Sequence, residues 1–503
     1  MKAIIKISLV LLSSLTISCS SWLDVEPKTE VKSDIMFQSE SGFKDAIVGC
    51  YILMSNSSMY ARELTTGFLD VIAQQYSVDQ NGGDYYRIKN FEYDRAESII
   101  NRIWSQTYTT IANLNNILEN IENKENVLHP THYSIIKGEA LGLRAFLHFE
   151  LLRMFGWGDL ENHPENLKRV CIPYVKVYLK EITKQNTVEE VLQYIHQDLE
   201  EAAVLLEKYD PWSTAKKNET YVLPNDDKFY TNRMTRFNYW ALQATLARVY
   251  MWEGNRDKAL SVVANFINNR SQIKDLDWIK DQTINNDSEL ERDLTFSTEH
   301  IFRLDVTKLF DGLRDLIDPE YNAPNANLRL LFHEPSYAQK LFEIDEHVGD
   351  SDYRYTRLYT KTSSKWCVRK FFDKENYKYP NRMPLIRMSE MYYMGAECLN
   401  RKGKTKDAVK LLNEVRRHRG IAENLMLPDG ITSEKLTTEI EKEWKKEFLG
   451  EGQMFYFYKR LGYTNFPNTS LPITESVYVL PIPEDEINVG GREPNSSTTD
   501  EKK

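Results

Sequence analysis

The residue types best suited to chemistry are concentrated in one short stretch. From position 76 the chain reads Tyr76-Ser77-Val78-Asp79-Gln80-Asn81-Gly82-Gly83-Asp84-Tyr85-Tyr86-Arg87. Tyrosine rings, short hydrogen-bonding side chains and two adjacent glycines stand together here. That mixture suits the capture of a sugar ring, whose C–H faces are apolar and whose rim is hydroxyl. An aromatic ring covers the face, and Asp, Asn and Arg satisfy the rim. Covering one face contributes roughly 1–2 kcal/mol by apolar area, so several rings must cooperate. The expectation is a loop presenting an aromatic platform of Tyr85 and Tyr86, supported by Tyr76, with Asp79 and Asn81 bonding at its edge. Gly82-Gly83 permits backbone angles that turn neighbouring side chains outward. Trp278 and Tyr321, in later loops, are further candidate ligand contacts. Trp366, between Lys365 and Cys367, is expected to pack against the fold.

Bond-making chemistry has no comparable signal. The chain lacks HExxH, GxSxG and GxxxxGK[ST]. Gly450-Glu451-Gly452 lacks the third glycine and the preceding strand of a dinucleotide loop. His129 and His132 flank Pro130, which reads as a surface turn, and nothing nearby completes a metal set. The 74 Asp and Glu offer many carboxylate pairs for glycoside hydrolysis, but no spacing singles one out. No catalytic residue, cofactor or metal ligand is expected. A net charge of -10 argues against nucleic-acid binding, which needs a basic stripe.

The 41% apolar and 27% charged residues of this 503-residue chain indicate a folded body with its own core. Residues 1–18 read as a signal peptide: Lys2 and Lys6 precede an uncharged run from Ile7 to Ile17. That run is shorter than the roughly 20 apolar residues of a membrane span. It ends Leu15-Thr16-Ile17-Ser18-Cys19, which resembles the bacterial lipoprotein signal, and Cys19 is the expected lipidated residue. Residues 19–38 then form an anchor and tether, 39–494 a single body, and 495–503 a polar tail. Cys50, Cys171, Cys367 and Cys398 are expected to be mostly free, buried thiols.

Helices must carry these loops. Apolar residues recur at helical spacing over Ser39–Tyr51 and Glu97–Ile121. Lys137–Phe155 is apolar almost all round and belongs in the middle of the protein. Thr187-Val188-Glu189-Glu190 has the spacing of a capping box and opens a helix to about Glu207. Two segments share a spacing: Ala247, Gly254, Ala259 and Ala396, Gly403, Ala408. Each reads as helix, glycine turn, helix: 238–253 with 256–268, and 388–401 with 405–418. This is the logic of a tetratricopeptide hairpin. Long insertions at 78–87, 209–232, 270–298 and 305–327 separate the helices, with a possible strand at 299–305, and long loops of this kind usually have a task. Tyr478-Val479-Leu480-Pro481-Ile482-Pro483 is expected to be extended.

Several ordered blocks make the chain similar to the SusD/RagB family of outer-membrane nutrient-binding lipoproteins. They are Cys19 with Trp22-Leu23-Asp24 and Pro27; Glu139-Ala140-Leu141 through Phe155-Gly156; Ala247-Arg248-Val249-Tyr250; Arg387-Met388-Ser389-Glu390 through Ala396-Glu397 to Arg416; Lys446-Glu447-Phe448 through Lys459-Arg460; and Tyr478 to Pro483. The family often has Glu-Arg where this chain has Glu443-Trp444, and an arginine and an aspartate where it has Met454 and Phe457. Arg144, Arg387, Glu390, Glu397 and Arg416 are charges among apolar helical residues, and they are expected to pair inside the body.

The resemblance implies a mostly α, SusD-like body with tetratricopeptide-type hairpins and long loop insertions. It implies a surface lipoprotein of the outer membrane, facing outward, that binds an oligosaccharide or polysaccharide without catalysis. It further implies delivery of that glycan to a SusC-like, TonB-dependent transporter. RagB-like peptide capture is an alternative within the class. A surface glycosidase and a helical-repeat scaffold are the readings outside it.

Overall fold

The computed structural model describes residues 33–178, 182–217, 219–321, 329–372 and 376–495. The signal peptide and Cys19 lie outside the described residues. The chain is mostly helical, and its main elements are α1 (Glu40–Met54), α2 (Phe68–Ile72), α3 (Asp84–Lys89), α4 (Glu97–Ile121), α5 (Pro130–Phe155), α6 (Val188–Tyr209), α7 (Tyr239–Trp252), α8 (Arg256–Asn269), β1 (His300–Asp305), α9 (Leu309–Ile317), β2 (Tyr359–Lys361), β3 (Trp366–Val368), β4 (Arg382–Arg387), α10 (Met388–Arg401), α11 (Thr405–Arg417), α12 (Ser433–Glu447) and α13 (Gln453–Arg460).

The helices stand in a row in which each packs on the next. α1 lies on α4, α4 on α5, α5 on α6, α6 on α7, and the α7–α8 pair on the α10–α11 pair, with α12 against α10. Every residue of α5 from Gly138 to Phe155 is buried, as its all-round apolar sequence requires. α5 also starts earlier than the periodicity indicated. Pro130 occupies the first helical position, where its missing N–H costs nothing, and the His129 ring accepts from the Thr131 amide. His132 therefore sits in a buried first turn and not in a surface turn, with Nε2 3.0 Å from the Pro224 carbonyl and Nδ1 2.6 Å from Glu40.

Gly254 and Gly403 close the two hairpins at φ of 73° and 72°, a region unfavourable to other residues. At Gly395 a Cβ would stand 2.9 Å from Val263 and 2.8 Å from Leu411, so its absence lets α8, α10 and α11 approach closely. The capping box at Thr187 and Glu190 forms as its spacing indicated.

Two small sheets complete the body. β1 pairs antiparallel with β4, and β2 with β3 in a hairpin. The extended segment near the C-terminus begins one residue later than expected, because Glu475–Tyr478 is a helical turn. Phe37 is buried against Phe43, and the Asn495 amide donates to the Phe155 and Leu480 carbonyls at 2.9 and 2.7 Å. The four described cysteines are free and buried.

The charges set among apolar residues pair between elements. Arg144 meets Asp198, Arg248 meets Glu390, and Arg460 meets Glu397. A larger network surrounds α12. Glu447 accepts from Arg354, Arg387 and Arg419; Glu443 from Arg354 and Arg416; Glu451 from Lys370 and Arg387. Glu299 binds Arg419 at 2.6 Å, Asp352 binds Arg354 at 2.7 Å, and Lys446 reaches Glu343.

Candidate functional site

The stretch from Tyr76 is not a free loop. Ser77 exchanges backbone hydrogen bonds with Phe332, at 2.8 and 3.2 Å, and His333 does the same with Trp366, at 2.8 and 2.9 Å. Three strips distant in sequence are thereby laid side by side along the β2–β3 hairpin. Asp84–Lys89 is helical (α3), and its N-cap Gly83 takes a φ of 62°, which explains one of the two glycines.

This geometry corrects the expected platform. Tyr76 is buried and stacks on His333 at 5.4 Å. Tyr85 is buried, its hydroxyl donating to Glu63 at 3.0 Å and accepting from Arg62 Nε at 2.9 Å. Both rings brace the fold and offer no open face. Neighbours on a helix point about 100° apart, so Tyr86 faces another way and remains half-buried. Asn81 is exposed in the turn closed by Gly82 N on Asp79 O, and Asp79 is ion-paired with Lys365 at 2.6 Å. Trp278 lies elsewhere: it is buried, stacked on His418 at 4.6 Å and packed on Tyr392. Tyr321 is half-buried at the end of α9, with the Arg314 guanidinium 4.5 Å from its ring centre. α9 is tied back to Tyr85 because Arg62 also binds Asp315 at 2.7 Å.

The hairpin supplies a half-buried aromatic pair. Trp366 packs against the fold, as expected, but only partly, with Tyr355 beside it at 5.9 Å between ring centres and a tilt of 52°. Trp366 Nε1 donates to the Thr362 carbonyl at 3.1 Å, which fixes the indole on the hairpin turn. The Thr362 hydroxyl donates to Lys365 O and accepts from Lys365 N, closing that turn. The Lys361 ammonium lies over both rings, 4.1 Å from the Tyr355 centre and 4.4 Å from that of Trp366. Lys365 lies over Phe332 at 4.6 Å while holding Asp79. An aromatic pair with an ammonium above it thus occupies one side of the hairpin, while Lys365, which shares a face with Cys367 by the two-residue period, holds its ion pair with Asp79 on the Phe332 side.

Beneath the strip is a polar pin. His333 Nε2 is 2.6 Å from the Gln75 carbonyl and must donate to it, so Nδ1 accepts from the Tyr359 hydroxyl at 2.7 Å. Burial lowers the His333 pKa to about 4, which keeps the ring neutral. The Gly450-Glu451-Gly452 turn also has a structural partner here: Asp70 accepts from the Gly450 and Gly452 amides at 2.6 and 2.9 Å. Burial pushes the Asp70 carboxyl up to about 7. Among the described residues no group of three or more His, Cys, Asp or Glu is placed to hold a metal ion, and no helix is long and apolar enough to cross a membrane.

Reading along the sequence missed Tyr355 and Lys361. The available signal was the density of rings in Tyr353-Arg354-Tyr355, Tyr359 and Trp366, read together with the two-residue period of a hairpin.

The architecture belongs to an insertion-rich, mostly α-helical class in which paired helices carry short strands and a surface strip. Residues 207–466 match the family model described as the SusD family, and residues 21–251 match one described as starch-binding associating with outer membrane. The chain belongs to the SusD family. It is similar to SusD-like protein P38 of Formosa agariphila, with 23% identity over 90% of each chain. Its match to SusD-like protein P25 of the same organism is 22% identical and spans 49% of this chain and 43% of that protein. Among solved structures, a SusD superfamily protein of Bacteroides thetaiotaomicron superposes with a TM-score of 0.67, at 21% identity over 91% of this chain and 100% of that one. A protein of Bacteroides vulgatus described as a putative sugar binding protein gives 0.66, at 20% identity over 92% and 99%.

Proposed function

We propose that this protein binds a glycan at the Tyr355–Trp366 strip and passes it to a SusC-like, TonB-dependent transporter, while anchored to the outer membrane through Cys19. The observation that carries the reading is the half-buried aromatic pair held on the hairpin turn with the Lys361 ammonium over it. Membership of the SusD family supports it, as do the outer-membrane association named in the family description and the sugar-binding description of a fold neighbour. A sugar C–H face stacks on the rings. Tyr86, Asn81 and Tyr321, half-buried or exposed, are further candidate contacts. In this reading the protein holds its ligand unchanged.

The test is calorimetric titration against a panel of polysaccharides and peptides. Trp366→Ala and Tyr355→Ala should each weaken glycan binding about tenfold, or about 1.4 kcal/mol. Tyr85→Ala should lower the melting temperature. Binding of peptides and of no glycan would replace the ligand class, and new reducing ends on incubation would replace the binding role. For the partner, gentle detergent extraction and a pull-down on a C-terminal tag should recover an outer-membrane barrel, and Cys19→Ala should release folded protein into soluble fractions.

A further inference from the structure

The cations near the hairpin differ in their partners. Lys365 is neutralised by Asp79, Arg369 by Glu289 and Lys370 by Glu451, and Arg357 binds the Asn285 side chain. Lys361 is the exception. Among the described residues no carboxylate lies within ion-pair distance of its ammonium, which rests on the faces of Tyr355 and Trp366. It is exposed at the end of β2, yet the rings strip enough water from it to lower its pKa. Among the described residues, Lys89, Lys176, Lys217 and Lys459 are also desolvated without an ion-pair partner, but Lys89, Lys217 and Lys459 donate to backbone carbonyls and Lys176 to Gln197, whereas Lys361 is exposed and rests on the Tyr355 and Trp366 rings.

This position has a consequence for any sugar that uses the rings. The sugar face and the ammonium compete for the same aromatic surface, so stacking must displace Lys361. A neutral sugar forfeits the cation–ring contact and leaves the ammonium with water alone. A sugar bearing a carboxylate or sulfate gives the displaced ammonium a charged hydrogen-bond partner at the edge of the platform, and such bonds are stronger than neutral ones. The same lysine therefore penalises one class of ligand and rewards the other.

We propose that Lys361 makes this site selective for acidic glycans, those carrying uronate carboxylates or sulfate esters. The proposal rests on the reading of Tyr355 and Trp366 as a sugar platform.

The test uses the full chain and polysaccharides in charged and neutralised pairs. Polygalacturonate against its methyl ester reads the carboxylate, and a sulfated galactan against its desulfated form reads the sulfate. Wild-type protein should bind the charged member of at least one pair about tenfold more tightly. That advantage should shrink in about 0.5 M salt, where screening shortens the reach of charge. Lys361→Met should level the pair, with the neutral member bound as well as before or better, and Lys361→Arg should keep the preference. Trp366→Ala should weaken both members. Equal binding of the two members by wild type, or an undiminished preference in Lys361→Met, overturns the selectivity while the platform stands on the Trp366→Ala result. Unchanged binding in both Trp366→Ala and Tyr355→Ala sinks the platform and the proposal with it. Binding of no charged member also overturns the proposal.

Discussion

The ion network around Glu447 and the aromatic strip of the hairpin are built from the same segment of chain and obey opposite rules. Asp352 and Arg354 are buried in the network, and the next residue, Tyr355, is turned to the surface. Trp366 faces the strip, Cys367 faces the core, and Lys370 returns to the network at Glu451. In the network each charge is over-determined by several partners, because a buried ion without one is prohibitively costly. In the strip the rings are held by few contacts, the Trp366 hydrogen bond to Thr362, the Lys361 ammonium and their packing on the core. The comparison teaches that the network is the mount: it fixes the backbone on both sides of the hairpin that carries the half-buried rings.

The largest effect should follow from breaking the mount. Burial opposes the charge on Glu447, but Arg387 and Arg419 overcome it and hold its carboxyl well below the usual range. Glu447→Gln would remove the one carboxylate shared by three buried guanidiniums, leaving Arg354 with Asp352 and Glu443, Arg387 with Glu451 and Arg419 with Glu299, and one buried positive charge uncompensated. The expected cost is about 3–5 kcal/mol in urea unfolding, with glycan binding lost alongside stability. A variant of near wild-type stability would show that the network is dispensable and that the hairpin positions itself.

Acid should separate the two regions next. The folded pKa of His333, lowered by burial to about 4, lies below its unfolded value near 6.5. The unfolded chain therefore binds the extra proton first. The stabilisation is complete above about pH 6.5 and is lost as pH falls toward 4, by about 3 kcal/mol at most. Glu447 stays charged throughout that window. Amide exchange near Gln75 and Tyr359 should thus accelerate between pH 6.5 and 4, while α12 stays protected. In His333→Gln the acceleration should vanish; if it persists, another group is the sensor.

Much of the mount was legible in the sequence, and little of the strip was. Arg144, Arg387, Glu390, Glu397 and Arg416 stood out because a charge inside a 3.6-residue apolar pattern must find a partner. The helices were equally plain, since each long amphipathic run satisfies its own backbone. The Tyr76–Arg87 stretch misled because composition does not report direction: its bridge to Phe332 and its helix at Asp84–Lys89 turned Tyr76 and Tyr85 inward. Trp366 does pack against the fold, as expected; what was not legible is its bridge to His333, a contact across many intervening residues that no local pattern encodes. The departures at Trp444 and Phe457 have a local answer: the two rings pack at 5.1 Å, an aromatic contact where the family often carries charges.

Replacing the platform ring should have a smaller effect, on a different observable. Trp366→Ala should cost about a decade of glycan affinity while the melting transition falls less than in Glu447→Gln, because the indole is only partly buried. A large loss of stability with affinity intact would move Trp366 from the strip to the mount.

The smallest effect sharpens the comparison most. The Asp79–Lys365 pair is as short, at 2.6 Å, as the Glu447–Arg419 pair. Distance alone would rank the two equally. Their side chains differ in setting: 36% and 30% exposed for the first, fully buried for the second. Water screens the exposed pair and solvates either partner when the other is removed, so Asp79→Asn should change stability by less than about 1 kcal/mol. The buried pair cannot be rescued in that way. Asp79→Asn also frees the Lys365 ammonium, but on the Phe332 side of the hairpin, so affinity for a charged polysaccharide and for its neutralised form should both stay level. Urea unfolding of Asp79→Asn beside Glu447→Gln checks the first statement, and titration with polygalacturonate and its methyl ester checks the second. Similar destabilisation in the two variants would mean that the hairpin strip is as tightly mounted as the core, and the division between mount and surface would fail.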